Sequence, residues 1–199
     1  GGGQRAKQKS NDETGKGTKE EWRGGSGVGG VAGWGRFDVS RYGDQSARLE
    51  LPMYFSGVMG AWGIVQKRSG EVSRRFHVTV TPSWTDPNNG TLDERFVYDD
   101  GELQHRVWTL KRQGDGSWRG TAGDVIGEAV GHTAGNALHW TYVLRLPVDD
   151  TTYDIHFDDW MWQMDDQTLM NRSVLTKFGF HVGDVTVFFR KRDAQKDPS

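Results

Sequence analysis

The chain has 199 residues, a formal net charge of -2, 34% hydrophobic residues and no cysteine. That length suits one domain plus a tail. The balanced charge gives no basic footprint for nucleic acid. The missing thiols exclude disulfides, thiolate catalysis and cysteine-based metal sites, and no run of about 18 apolar residues is present to cross a bilayer as a helix.

Residues 1–35 are rich in Gly, Lys, Glu and Ser, with Trp22 and Trp34 as their only aromatics. Such a composition buries too little apolar surface to offset its ordering entropy, so a disordered arm is predicted. Residues 36–53 are transitional. Within them Arg48-Leu49-Glu50-Leu51, before Pro52, suits a short helical turn or a first extended contact. Residues 54–192 read as the folded domain and residues 193–199 as a disordered tail.

From Tyr54 the punctuation is that of an all-β protein, with short alternating runs separated by Gly, Asp and Asn. Strands are predicted at Phe55–Lys67, Val72–Trp84, Leu92–Tyr98, Leu103–Leu110, Trp118–Ala122, Asn136–Leu146, Tyr153–Trp162, Leu169–Phe178 and Asp184–Lys191. Asp124–Gly135, with Gly127 and Gly131, reads as an irregular, bulged strand. Nothing between strands is long enough for a parallel crossover. The predicted fold is therefore an antiparallel up-and-down meander of about 8–10 strands, closed into a barrel that removes the two edges. A sandwich is the alternative.

Alternation assigns faces. In Tyr153–Trp162 the set Tyr153, Ile155, Phe157, Asp159, Met161 is apolar but for one residue and is placed inward. Asp158 then points outward with Trp160 and Trp162. The adjacent aspartates are thus no acid/base dyad unless a bulge intervenes. The outward tryptophans need a cover: the arm, a helix or a second subunit, which makes self-association through Trp160 and Trp162 an expectation.

The hairpin around Asp99-Asp100-Gly101 suits a three-residue loop with glycine in the left-handed region. That register pairs Glu94 with Arg106, Phe96 with Gln104 and Leu92 with Trp108. Glu94 and Arg106 are expected to form a cross-strand ion pair among apolar neighbours. Its role is either to fix register or to leave Arg106 partly available for an anionic ligand group. Asn136, Leu138, Trp140, Tyr142 and Leu144 share a face, as do Leu169, Asn171, Ser173, Leu175 and Lys177. Asn171 is the expected partner of Asp159, with Arg106 across the barrel, and Arg172 is expected to meet Asp158 outside. The six histidines show no ligand spacing, so no metal site is expected. No P-loop, GxSxG or dinucleotide fingerprint occurs, and no cofactor is expected.

Gly57…Ala61-Trp62-Gly63-Ile64, Phe96-Val97-Tyr98-Asp99-Asp100-Gly101…Arg106-Val107-Trp108, Gly120-Thr121-Ala122…Asp124-Val125-Ile126-Gly127, Gly135-Asn136-Ala137…Trp140, Phe157-Asp158-Asp159-Trp160-Met161 and Lys177-Phe178-Gly179 follow one another in order. This series resembles the bacterial Domain of Unknown Function 3833 family, from about Tyr54 to Arg192. The resemblance implies a lipocalin-like, calycin-type barrel and no established activity. Some members look like lipoproteins anchored through an acylated cysteine, a residue this chain lacks. The compartment, bacterial cytoplasm or periplasm, stays open.

Three functions fit these residues. The first is a binding protein for a small, largely apolar, lipid-like ligand with a polar or anionic group, held by Glu94, Arg106, Trp108, Asn136, Trp140, Asp159, Asn171 and Lys177. The second is an enzyme with Asp159 or Glu94 as general base and Arg106 or Lys177 stabilising an anion. The third is a filled barrel whose polar set is only a structural network.

Overall fold

The computed structural model describes residues 38–192. The predicted arm at 1–35 and tail at 193–199 lie outside these residues. Ten antiparallel strands form one closed barrel. They are β1 (Met59–Lys67), β2 (Val72–Asp86), β3 (Asn89–Tyr98), β4 (Leu103–Arg112), β5 (Trp118–Thr121), β6 (Ala129–Ala134), β7 (Ala137–Val148), β8 (Thr151–Gln163), β9 (Thr168–Lys177) and β10 (Phe180–Lys191). Each strand pairs with its neighbours in sequence, and β1 pairs with β10 to close the ring. Alternation drives this. Successive inward residues such as Met59 and Ala61 on β1 or Val78 and Val80 on β2 are buried, while outward side chains such as Trp62 and Thr79 meet solvent.

One stretch departs from expectation. Residues 122–128 form an irregular connection with a single bridge, Val125 to Leu144, and only Ala129–Ala134 is strand. Gly123, Gly127 and the positive φ of Gly127 (66°) deny this run a regular ladder.

One end of the barrel is plugged. A turn of helix, α1 (Leu51–Tyr54), begins with Pro52 in its first turn and buries Leu51 and Tyr54. It forms slightly later than the Arg48–Leu51 turn read from sequence. Three bonds fasten it to strand ends: the Tyr54 hydroxyl donates to the Gln167 carbonyl (3.2 Å), Trp84 Nε1 to the Phe55 carbonyl (2.8 Å) and Lys191 Nζ to the Met53 carbonyl (3.1 Å). Beneath it Trp84 packs edge-on against Trp118, which is only 2% exposed. At the opposite end the described chain makes only turns and the 122–128 connection.

The outward tryptophans of β8 are covered by the chain itself. A short 3-10 helix, Val39–Tyr42, lays the Tyr42 ring 5.7 Å from Trp160 and 6.2 Å from Trp162. His139 stacks on Trp160 at 4.3 Å. Of the expected covers (the arm, a helix or a second subunit), the described residues supply a helix. Gly135 is what lets the cover approach. Its φ is +54°, its carbonyl accepts from Leu49 N, and a Cβ placed there would sit 1.7 Å from the Tyr42 carbonyl oxygen. A Gly135→Ala variant is expected to lose about 3 kcal/mol or more from overpacking and backbone strain. It should also red-shift tryptophan emission as Trp160 and Trp162 become wet, which thermal melts and fluorescence spectra would check.

Candidate functional site

Half-way along the barrel the inward faces of β3, β4, β7, β8 and β9 bring polar groups together. The register pairs Glu94 with Arg106, Phe96 with Gln104 and Leu92 with Trp108, as the hairpin implied. The ion pair differs. Arg106 directs its fork at Asp124, with Nη2 2.7 Å and Nε 3.0 and 3.1 Å from the carboxylate oxygens. Glu94 acts on Arg106 as a nearby charge, not as its bidentate partner. Asp124 lies in the irregular connection, where no pattern in the sequence could aim it. Burial opposes the Arg106 charge, but the Asp124 bonds and the charges of Glu94 and Asp124 outweigh it, so its pKa is raised.

Asp159 faces inward and is 3% exposed, while Asp158 lies on the outer face bonded to His139. The two aspartates are therefore no dyad. On the outer face Arg172 pairs with Asp184 at 3.7 Å. The expected partner of Asp159 was Asn171, but the β8–β9 register sets Asp159 opposite Ser173 and Asn171 opposite Met161. Asn171 Nδ2 instead donates to the Trp160 carbonyl at 3.0 Å. The Tyr142 hydroxyl donates to Asp159 Oδ2 at 2.9 Å. Ser173 also favours the ionised carboxylate. Oδ1 completes no hydrogen bond of good geometry.

Tyr142 and Ser173 sat on faces recognised as inward. The two-residue Asp149-Asp150 turn fixes Trp140 opposite Asp159 and Tyr142 opposite Phe157. A buried phenol needs an acceptor, so that register already pointed to Asp159.

The remaining sequence candidates scatter. Trp108 and Trp140 are buried, ring to ring at 5.6 Å, as a floor beneath the polar set. Asn136 lies in the β6–β7 turn, where Nδ2 donates to the Gln163 carbonyl at 3.2 Å. Lys177 stands towards the unplugged end with Nζ 3.4 Å from the Tyr153 ring centre.

The lumen is packed unevenly. Near the plugged end the inward side chains Met59, Val80, Leu110, Trp118, Leu138 and Leu169 are buried. Towards the other end Phe76, Glu94, Tyr98, Gln104, Tyr142 and Val185 also face inward yet are only half-buried. Inside a closed wall, such surface faces the lumen or a gap in the wall. One gap exists. β5 pairs with β4 only over Thr109–Arg112, and β6 reaches β7 only as far as Thr141. The 122–128 connection spans the space. It is hydrogen-bonded to β7 through Ile126 N to Val143 O and Arg145 N to Asp124 O, both 2.9 Å, and tied to β4 by the Arg106–Asp124 pair. A cavity of about 470 Å³ lies here, bounded by Gln104, Arg106, Asp124 and Leu146. A second, of about 500 Å³, is an open groove beside Trp62, His77 and Phe188 that Phe76 and Tyr98 also line.

Burial pushes both inward carboxyls up to about 7. For Glu94, Arg106 pulls down and Asp159 pushes up; for Asp159, Ser173 and Tyr142 pull down and Asp158 pushes up. Burial, reinforced by Asp159, raises the Tyr142 phenol well above its usual value. The native state thus holds protons that the unfolded chain releases at its ordinary carboxylate pKa. These two groups should make stability fall as pH rises from about 4 to about 7, by at most about 1.4 kcal/mol per pH unit each, and level above that. Urea midpoints at pH 5 and pH 8 would show it, and a Glu94→Gln/Asp159→Asn variant should flatten the slope.

Among the described residues no helix is long and apolar enough to cross a membrane, and no group of three or more His, Asp or Glu is placed to hold a metal. The sequence pattern of the family described as "Protein of unknown function (DUF3833)" matches residues 28–191. None of the curated proteins matches the chain. Among solved structures it is similar to an S-type phycobiliprotein lyase from Guillardia theta, with 13% identity, TM-score 0.51, 75% of this chain and 96% of that one. It is also similar to a protein of unknown function of the DUF3598 family from Nostoc punctiforme, with 12% identity and TM-score 0.50. That match covers 74% of this chain and 51% of the other. At these identities the likeness is one of fold.

Proposed function

Because the chain belongs to the protein family of unknown function DUF3833, we propose its role from its own geometry: a barrel that binds a small, largely apolar ligand carrying one polar group. One observation carries the reading. Inward side chains in the unplugged half keep accessible surface although ten strands close the ring around them, with a gap where the 122–128 connection replaces the ladder. A lumen with mainly aromatic walls and a few convergent polar groups is the usual form of a small-molecule site. Phe76, Tyr98, Tyr142 and Val185 supply the apolar wall, Trp108 and Trp140 the floor, and Glu94 and Asp159 the polar end. Leu103, Phe178 and Phe180 at the unplugged end are 74%, 88% and 72% exposed, which suits passage of an apolar molecule. Arg106 is engaged by Asp124, so it orients the cluster and does not anchor an anion. Asn136 and Asn171 support by fixing backbone, and Lys177 stands near the mouth.

A second reading has its own support. Carboxyls that titrate near 7 suit a general base at neutral pH, so Glu94 or Asp159 acting on a bound substrate is the enzymatic form of the same site. Native mass spectrometry of protein purified from its own cells tests the binding reading. A stoichiometric small molecule is expected on the wild type and absent from a folded Val185→Trp variant. Identical mass on both, with no adduct under conditions that preserve non-covalent complexes, would count against it.

A further inference from the structure

The charges that line the lumen do not balance, and the imbalance specifies a ligand. Three carboxylates, Glu94, Asp124 and Asp159, face one guanidinium, Arg106. The bidentate Arg106–Asp124 pair, its side chains 11% and 27% exposed, closes to neutrality within itself. Glu94 and Asp159 are left over. Lys177 does not supply the missing charge, because its ammonium rests on the Tyr153 ring. Nor does Arg74, which is bonded to Glu102 at 2.7 Å and lies over the Tyr98 ring at 3.6 Å.

Two further observations point into the lumen. Asp159, 3% exposed, accepts from Tyr142 on Oδ2 and is favoured in its ionised form by Ser173, while Oδ1 completes no hydrogen bond of good geometry. Glu94, enclosed by the wall, keeps accessible surface. Around them stand aromatic faces: Tyr142 stacked on Phe157 at 5.1 Å, and Trp108 edge-on to Tyr142 at 5.1 Å. Leftover carboxylates, an acceptor oxygen short of a well-formed hydrogen bond and aromatic faces all favour a nitrogen cation, by charge-assisted hydrogen bonds and by attraction to the rings. They disfavour an anion, which would meet two acids and a guanidinium already engaged.

We propose that the polar end of the lumen receives a protonated amine carried on an apolar body, with Glu94 and Asp159 as its acceptors. This rests on the lumen-binding reading above and names its ligand class.

Three probes of equal chain length separate the possibilities: octylamine, octanol and octanoate, each titrated against the protein at pH 8 by calorimetry. Octylamine is expected to bind about ten-fold tighter than octanol or better, as one charged hydrogen bond implies, and octanoate more weakly than octanol. The preference for amine over alcohol should shrink as pH falls from 8 to 5 and Glu94 and Asp159 take up protons. Of the other titratable groups facing them, Arg106, Tyr142 and Tyr98 have raised values and hold their charge states over that range, and Asp124 is paired with Arg106. A Glu94→Gln/Asp159→Asn variant should bring amine and alcohol to similar affinity. The wild-type pH series decides the matter should that variant not fold. Equal affinities for amine and alcohol, or tightest binding of octanoate, overturns the amine assignment and leaves the binding lumen standing. Failure of all three probes overturns both.

Discussion

Replacing Arg106 by alanine is expected to destabilise the fold by about 3–5 kcal/mol, because one buried cation is removed from among Glu94, Asp124 and Asp159. The melting temperature should fall by roughly 10 °C. The loss has a mechanical part as well. The 122–128 connection bonds to β7 by its backbone, but its tie to β4 is the fork of Arg106 on Asp124. Hydrogen exchange over residues 122–128 should therefore rise far more than exchange in β1 or β10. An Arg106→Met/Asp124→Leu variant removes both charges together and should recover much of the stability, since neither partner is stranded. An Arg106→Ala variant as stable as the wild type would mean that the pair neither compensates charge nor closes the wall.

Trp140→Ala is expected to cost about 3–5 kcal/mol, the range for deleting a large buried aromatic without collapse of the site. The surroundings are cut to fit this ring. A Cβ on Gly131 would lie 2.2 Å from it and one on Gly120 2.5 Å, so both neighbouring strands bare their backbone to the indole. Those strands cannot move in to fill the space, because β5 and β6 are themselves hydrogen-bonded into the ring. The variant should bind indole and regain part of its melting temperature with it, as an apolar cavity does. Phe76→Ala, in the half-buried region, should cost less than half as much. Comparable costs at the two positions would mean that the lumen is filled evenly along its length.

Most of the architecture was legible from alternation. The inward set of β8, the outward pair Trp160 and Trp162, and the β3–β4 register all follow from a period of two and one recognisable turn. The family series pointed to the same barrel. Registers across longer turns were not legible. The Met164–Gln167 connection leaves the β8–β9 pairing open by two residues, which exchanged Ser173 for Asn171 opposite Asp159. Contacts made by irregular chain escaped altogether. Asp124 reaches Arg106 from a segment without periodicity, and Tyr42 covers Trp160 from a four-residue 3-10 helix. The site was thus half visible: Glu94, Arg106 and Asp159 were identified as site residues, whereas Asp124 was not, and Tyr142 was placed on a shared face without being tied to Asp159.

The measurement closest to the central claim is a titration with a neutral, environment-sensitive dye, which separates the lumen from the outer groove at Trp62. Val185 faces the lumen opposite Ser173, and Trp62 lines the groove outside. The expected result is one saturable, blue-shifted site in the wild type, lost in a folded Val185→Trp variant and kept in Trp62→Ala. Dye binding that survives Val185→Trp and disappears in Trp62→Ala would contradict a ligand-binding lumen.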